Sequence, residues 1–328
     1  MLQNHLQGDA QATATQTADA AESSGTYEVR LHPVHPRLKQ IDIRPAILKA
    51  FFADARQIDV QNLEYVPFMR FILADRLDQR VGGGFRQAVC DILTDRHHGG
   101  FTLGAGEAAA GDEDLVKLAT AVSHLVGPAN RDGMSDSYFA RFVVKHTDDS
   151  DSYLQQSYRT LSLHTDGTYV DEPTDWLLMM KMAEQHAEGG ESRLLHLDDW
   201  SDLGRFHRHP LSAHSFAFKA PPSKNVETSF RRPIFHSDSS GVGISYIDQF
   251  AQPETIEQAR YLFDLSQSLE NSPAIKAPRL PVGTLIMLNN HFWMHGRAGF
   301  RRNEQLHREL MRLRGGFAPD MVRSGGAN

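Results

Sequence analysis

An imidazole and a carboxylate stand two residues apart at the end of the alternating run Leu161-Ser162-Leu163-His164-Thr165-Asp166-Gly167-Thr168-Tyr169-Val170. In a strand, positions i and i+2 share a face, so His164 and Asp166 can reach one metal ion together. A second histidine from a distant strand would complete the two-histidine, one-carboxylate face of non-haem Fe(II) oxygenases, which leaves the other coordination positions open. The spacing by itself is unselective. Seventeen histidines and 41 acidic residues in 328 positions give about two His-x-acid matches by chance. More than two are present, and besides His164/Asp166 they include His146/Asp148, His186/Glu188, His196/Asp198 and His236/Asp238. His146 and His236 open polar runs that read as solvated turns, and His186 precedes Gly189-Gly190. His196 follows Leu194-Leu195 and is the strongest rival.

A distal histidine is offered by Leu285-Ile286-Met287-Leu288-Asn289-Asn290-His291-Phe292-Trp293-Met294-His295-Gly296-Arg297. His291 and His295 are four apart, but the Glu of a His-Glu-x-x-His zinc motif is missing. His295 is the better candidate, because Gly296 lets the backbone turn close to a metal and Arg297 follows. Further on, Arg308-Glu309-Leu310-Met311-Arg312-Leu313-Arg314 reads as a strand with Arg312 and Arg314 on one face and Glu309, Met311 and Leu313 on the other. A guanidinium fork suits a carboxylate, whose two oxygens it can bind at once. The alternative is a solvated outer face. Against it, the neighbouring Leu310, Met311 and Leu313 suggest burial, where unpaired cations are costly.

These residues need a scaffold, and its outline is visible. Apolar residues make up 40% and charged residues 23%, the composition of a globular protein with an ordinary core. The net charge of -7, with no long basic run, argues against nucleic acid as a partner. A single cysteine, Cys90, excludes an internal disulfide and a multi-cysteine zinc site, and its neighbours suggest a helix core position. No window approaches a membrane span and no signal peptide is evident, so a cytoplasmic protein is expected.

Residues 1–26, poor in bulky apolar side chains, are expected to form a disordered tail. Residues 27–328 are expected to be one domain. In it, Ala46–Arg56, Phe68–Gln79, Phe85–Thr94 and Asp112–Val126 show helical spacing, and Gly127-Pro128 stops the last. From there the period becomes two. Tyr138–Val144, Arg159–His164, Trp176–Met182, Arg193–Leu197, Ser215–Lys219, Val242–Ile247, Thr284–Leu288 and Glu309–Phe317 are strand candidates. One helix interrupts them, Glu254–Leu269, with Ile256, Ala259, Leu262 and Phe263 inward. Helices followed by about eight strands imply a mainly β protein with flanking helices, a sandwich or jelly roll.

Several runs together carry a family resemblance: His164-Thr165-Asp166-Gly167-Thr168-Tyr169-Val170, Leu178-Met179-Met180-Lys181, Leu194-Leu195-His196-Leu197-Asp198-Asp199-Trp200, Pro221-Pro222-Ser223-Lys224-Asn225-Val226, Tyr246-Ile247-Asp248-Gln249-Phe250, Phe292-Trp293-Met294-His295-Gly296-Arg297 and Arg308-Glu309-Leu310-Met311-Arg312. They closely resemble the carbon-starvation-induced glutarate 2-hydroxylase family, from about residue 60 to about 318. The resemblance implies a double-stranded β-helix Fe(II)/2-oxoglutarate-dependent dioxygenase with His164, Asp166 and His295 on iron. The family is similar to the wider taurine dioxygenase group, in which an arginine after the distal histidine holds the 5-carboxylate of 2-oxoglutarate. That implies Arg314 for this role, with Arg312 second. His196/Asp198 does not occupy the family's ligand position. O2 and 2-oxoglutarate would be consumed, and glutarate would become (S)-2-hydroxyglutarate in lysine breakdown, with succinate and CO2 formed.

Two similar five-carbon diacids then share one site, which calls for two carboxylate grips. Arg312, Arg314, Arg141, Arg297 and Lys224 are the candidates. A homotetramer is also implied by the resemblance. The competing readings are the same oxygenase chemistry on another small carboxylic or sulfonic acid, and a non-catalytic metabolite-sensing barrel.

Overall fold

The computed structural model describes residues 22–23, 25–133, 135–146, 157–220 and 229–324. Most of the expected tail lies outside the described residues. Its end does not: β1 (Glu22–Ser23) pairs antiparallel with β2 (Tyr27–Leu31).

The first part of the chain adds β3 (Lys39–Ile43), helices α1 (Pro45–Ala55), α2 (Val60–Tyr65), α3 (Pro67–Val81) and α4 (Phe85–Thr94), strand β4 (Gly100–Gly104) and helix α5 (Asp112–Val126). Three acidic residues in the first turn of α5 complement its dipole. Then follow β5 (Ala140–Lys145), β6 (Leu161–His164), β7 (Trp176–Gln185), β8 (Ser192–His196), α6 (Leu203–His207), β9 (Phe216–Lys219), β10 (Ser229–Arg232), β11 (Phe235–Asp238), β12 (Gly241–Ile244) and β13 (Ala251–Gln252). The last elements are α7 (Ile256–Glu270), β14 (Thr284–Asn289), β15 (Trp293–Arg297), β16 (His307–Gly315) and α8 (Pro319–Ser324).

Eight strands form one sheet in the order β1-β2-β3-β4-β14-β7-β16-β5. Within it, β3 and β4 pair in parallel. A three-stranded sheet, β6-β15-β8, carries the histidine-bearing segments. Alternation along β7 and β14 shows why two cores exist. Leu178, Met180, Leu285 and Met287 project to the side covered by the helices and join a core with α1, α3, α4 and α5. Their neighbours Leu177, Met179, Ile286 and Leu288 project the other way and share a core with Leu163, Leu194 and Leu195 of the small sheet. The small sheet is therefore packed against the large one through apolar side chains, and the helices back the large one.

Several local expectations change. Helix α7 buries Gln258, Tyr261, Leu262, Leu265 and Leu269, while Ile256 and Phe263 are exposed. Both faces of α7 carry apolar residues, and the stripe that runs its full length is the one that packs. His236, expected in a solvated turn, lies in the hairpin β11–β12. Cys90 is a buried core residue on α4, with burial pushing its thiol up to about 11. Among the described residues, no helix is long and apolar enough to cross a membrane.

Candidate metal centre

Strands β6 and β15 run antiparallel with His295 directly opposite His164. Their ring centroids are 4.2 Å apart. Asp166, expected to share a strand with His164, lies two residues beyond the end of β6. Thr165 fixes that exit, donating its N–H to the Tyr246 carbonyl at 2.9 Å and accepting from the Tyr246 N–H at 3.0 Å. Gly167 then turns the chain at φ +78, and an added Cβ would sit 2.2 Å from Thr174 Oγ1. Gly296 is needed for a different contact than the one expected. Its missing side chain makes room for the β6 backbone, since a Cβ there would lie 2.6 Å from the Leu161 carbonyl oxygen.

The result is one cluster. His164 Nε2 lies 3.9 Å from Asp166 Oδ1. Ligand atoms of His164, Asp166 and His295 all lie within 4.8 Å of one another, and no second such group of His, Cys, Asp or Glu occurs among the described residues. His164 Nδ1 is 2.7 Å from the Ser162 carbonyl, which can only accept, so the proton sits on Nδ1 and the Nε2 lone pair is left for a ligand role. His295 Nδ1 is buried without a hydrogen-bond partner, and Asp166 Oδ2 meets only the Arg312 guanidinium. Two imidazoles, one of them with an orphaned buried nitrogen, and one carboxylate fit a divalent cation.

Electrostatics hold the three side chains in the protonation states that a metal ion would require. Burial pushes His295 down to about 3, with His164 adding to it, and burial lowers His164 as well. Both imidazoles are neutral. Burial alone would raise Asp166, but the Arg312 guanidinium prevails and holds its carboxyl well below the usual range. Arg312 Nη1 is 3.1 Å from Asp166 Oδ2 and Nη2 is 2.5 Å from Asp132 Oδ2.

The triad opens onto a cavity of about 110 Å³. The loop residues Tyr169, Ile247 and Phe250 line part of it, and the strand residues Val144, Ser192, Arg297 and Arg308 another. Arg308, Leu310 and Arg312 all face it from β16, while Met311 and Leu313 go to the helix-side core, as the alternation predicts. Arg308 did not stand out in the sequence. The signal was present, because it shares the parity of Arg312 and Arg314.

Arg308 is 3% exposed and Arg314 5%, and neither makes a hydrogen bond or ion pair with a described residue. Arg314 lies outside the lining, its guanidinium carbon 6.0 Å from the Tyr169 ring. Arg297 and Arg308 both contact Phe300, at 5.0 and 5.7 Å. Burial, and for Arg297 also the charge of Arg308, pushes each down to about 10.

Other expected residues fall elsewhere. Arg141 is not brought to the cavity. It sits on the outward face of β5, paired with Glu309 and with Asp112, because the cavity takes the opposite parity, Phe142 and Val144. Lys224 lies outside the described residues. His196 accepts from the Asp198 N–H at 3.1 Å, while Arg96 occupies the Asp198 carboxylate. His291 is held by Asp175 at 2.9 Å and faces His236 at 3.1 Å.

Residues 27–317 match the CsiD family model. Glutarate 2-hydroxylase of Citrobacter koseri is 46% identical over 86% of this chain and 88% of its own length. The protein of the same name from Salmonella typhimurium is 44% identical over 94% of this chain and 95% of its own. Among solved structures, the non-heme iron oxygenase OrfP in complex with Fe and alpha-ketoglutaric acid is similar at TM-score 0.66 and 15% identity, covering 88% of this chain and 96% of that one. Asparagine oxygenase with Fe(II), 3-hydroxyasparagine and succinate is similar at TM-score 0.62 and 15% identity, covering 84% and 93%. The fold is that of the non-heme iron oxygenases.

Proposed function

We propose that this chain, which belongs to the CsiD family, hydroxylates glutarate at C2 to (S)-2-hydroxyglutarate, consuming 2-oxoglutarate and O2 and releasing succinate and CO2. The observation that carries this reading at the level of the site is a juxtaposition. His164, Asp166 and His295 converge beside a cavity in whose wall Arg308 is buried without a partner. Glu184 and Glu191 act on this guanidinium only without direct contact, and burying it with no hydrogen-bonded anion is costly, a cost that a carboxylate ligand removes.

His164, Asp166 and His295 would hold Fe(II), which with 2-oxoglutarate and O2 supplies the oxidising chemistry. The chain's own work is to hold, orient and dry the site. Arg312 keeps Asp166 ionised, and the Ser162 carbonyl keeps the His164 proton off Nε2. Arg308 and Arg314 flank Arg312 on one face of β16, four residues away in one direction and two in the other, which separates the outer pair by roughly 20 Å of strand. Two diacids can thus be gripped independently.

The strand-walled end, where Arg297 and Arg308 lie together, suits the far carboxylate of 2-oxoglutarate. That gives Arg308 the role expected for Arg314. Arg314, just behind the lining and 6.0 Å from the Tyr169 ring, then suits glutarate at the loop end, where Tyr169, Ile247 and Phe250 cover its methylene groups and exclude water.

Self-association as a homotetramer and a cytoplasmic setting complete the proposal. Exposed Tyr65, Phe68, Phe71 and Ile72 on α2 and α3 support an assembly surface. The test of function is O2 consumption by Fe(II)-loaded protein with 2-oxoglutarate, with and without glutarate, followed by analysis of the acids. Glutarate-dependent uptake with equal succinate and 2-hydroxyglutarate supports it. Uptake indifferent to glutarate removes the substrate, and no uptake with iron bound favours a sensor.

A further inference from the structure

The side chain of Asn290 contacts the Asp166 backbone twice. Its Oδ1 accepts from the Asp166 N–H at 2.9 Å, and its Nδ2 donates to the Asp166 carbonyl at 3.0 Å. The second Nδ2 hydrogen goes to the Thr174 carbonyl at 2.8 Å. Both donors and the acceptor are therefore used, in a side chain only 6% exposed. The Asn290 backbone is fixed too, its N–H donating to the Asp175 carbonyl at 2.8 Å.

Its position in the chain gives these bonds their meaning. Asn290 directly follows β14 of the large sheet and precedes β15, which carries His295. Asp166 lies on a turn past the end of β6, where no strand ladder holds it. The amide of Asn290 stands in for that missing strand partner and ties the turn to the β14–β15 connection, five residues before His295.

We propose that Asn290 is a positioning residue for the metal site, setting where the Asp166 carboxylate stands relative to His295. This rests on the metal-binding reading above. A misplaced carboxylate weakens a three-ligand site because all three donors must converge at once, and outer groups that orient ligands typically matter 10- to 100-fold in metal affinity.

Asn289 provides the control. It is equally buried and also bonds with both ends of its amide, to the Leu93 carbonyl and the His291 N–H, yet it touches no ligand residue. Co(II) affinity and absorption spectrum are measured by titration for the native protein, Asn290→Ala and Asn289→Ala, with thermal melts of each apo form. Both variants are expected to melt earlier. Only Asn290→Ala is expected to bind Co(II) at least tenfold more weakly, with an altered spectrum. If it does not fold, Asn290→Asp replaces it, since it keeps the shape but turns an anion toward the Asp166 and Thr174 carbonyls, and the same loss is expected. Native-like Co(II) affinity in a folded Asn290 variant, or an equal loss in Asn289→Ala, overturns the inference while leaving the metal site intact. A native protein that binds no Co(II) removes the site and the inference together.

Discussion

Arg312 bridges Asp132 and Asp166, with one terminal nitrogen on each carboxylate, at 2.5 and 3.1 Å. All three side chains are 12% exposed or less. Such a triad gains little over an apolar core of equal shape, but breaking it strands buried charge. Arg312→Met is therefore expected to cost about 3–5 kcal/mol in urea unfolding and to weaken metal binding, because Asp166 loses the cation that keeps it ionised. Asp132→Asn removes only the outer carboxylate, so its cost is expected to be smaller. Non-additivity of the double variant would measure the coupling, and simple additivity would mean the three do not act as a unit.

The two unpartnered arginines make separable predictions. A charge-assisted hydrogen bond contributes about 1.5–3 kcal/mol, or roughly 10- to 100-fold in affinity. Arg308→Gln is expected to raise the KM for 2-oxoglutarate by that factor while changing the KM for glutarate little. Arg314→Gln is expected to do the reverse. Steady-state kinetics with one acid varied at a time decides it, and exchanged effects would return 2-oxoglutarate to Arg314.

How far the sequence reached is seen in the same strand. Period-two alternation correctly separates Met311 and Leu313 from Arg312 and Arg314, because one face of β16 meets helices and the other the cavity. The same rule marks Arg308, but parity alone does not say which end of a strand meets a ligand. Arg141 shows the complementary failure: strand position is readable, whereas the face that points outward depends on pairing partners far along the chain. The resemblance drew His164, Asp166 and His295 together across 131 residues, which no local pattern could do. The clamp of Asn290 on Asp166 was not legible, since it is a tertiary contact between two turns.

Gly296 gives a steric prediction. An alanine methyl would fall 2.6 Å from the Leu161 carbonyl oxygen, which belongs to backbone and cannot step aside. Gly296→Ala is expected to push β15 from β6 and so separate His295 from His164. Weaker Co(II) binding together with a lower melting temperature is the expected outcome. Native metal affinity would mean that the strands shift without moving the ligands.

Stability should also fall in mild acid, and His124 offers a clean test. It is 4% exposed on α5, with its ring edge-on to Phe71 and its Nδ1 2.9 Å from the Thr120 carbonyl. Burial pushes it down to about 4, against an ordinary value of 6.5. Between these values the unfolded chain binds a proton that the folded chain does not, so stability rises with pH across that window. It is complete above about 6.5 and is lost as pH falls toward 4, on the order of 3 kcal/mol in all. His124→Gln cannot take up that proton. Its unfolding free energy, measured in urea between pH 7 and pH 5, is expected to decline less steeply than that of the native protein, whatever its absolute level. Parallel declines would show that His124 is not protonated differently in the two states.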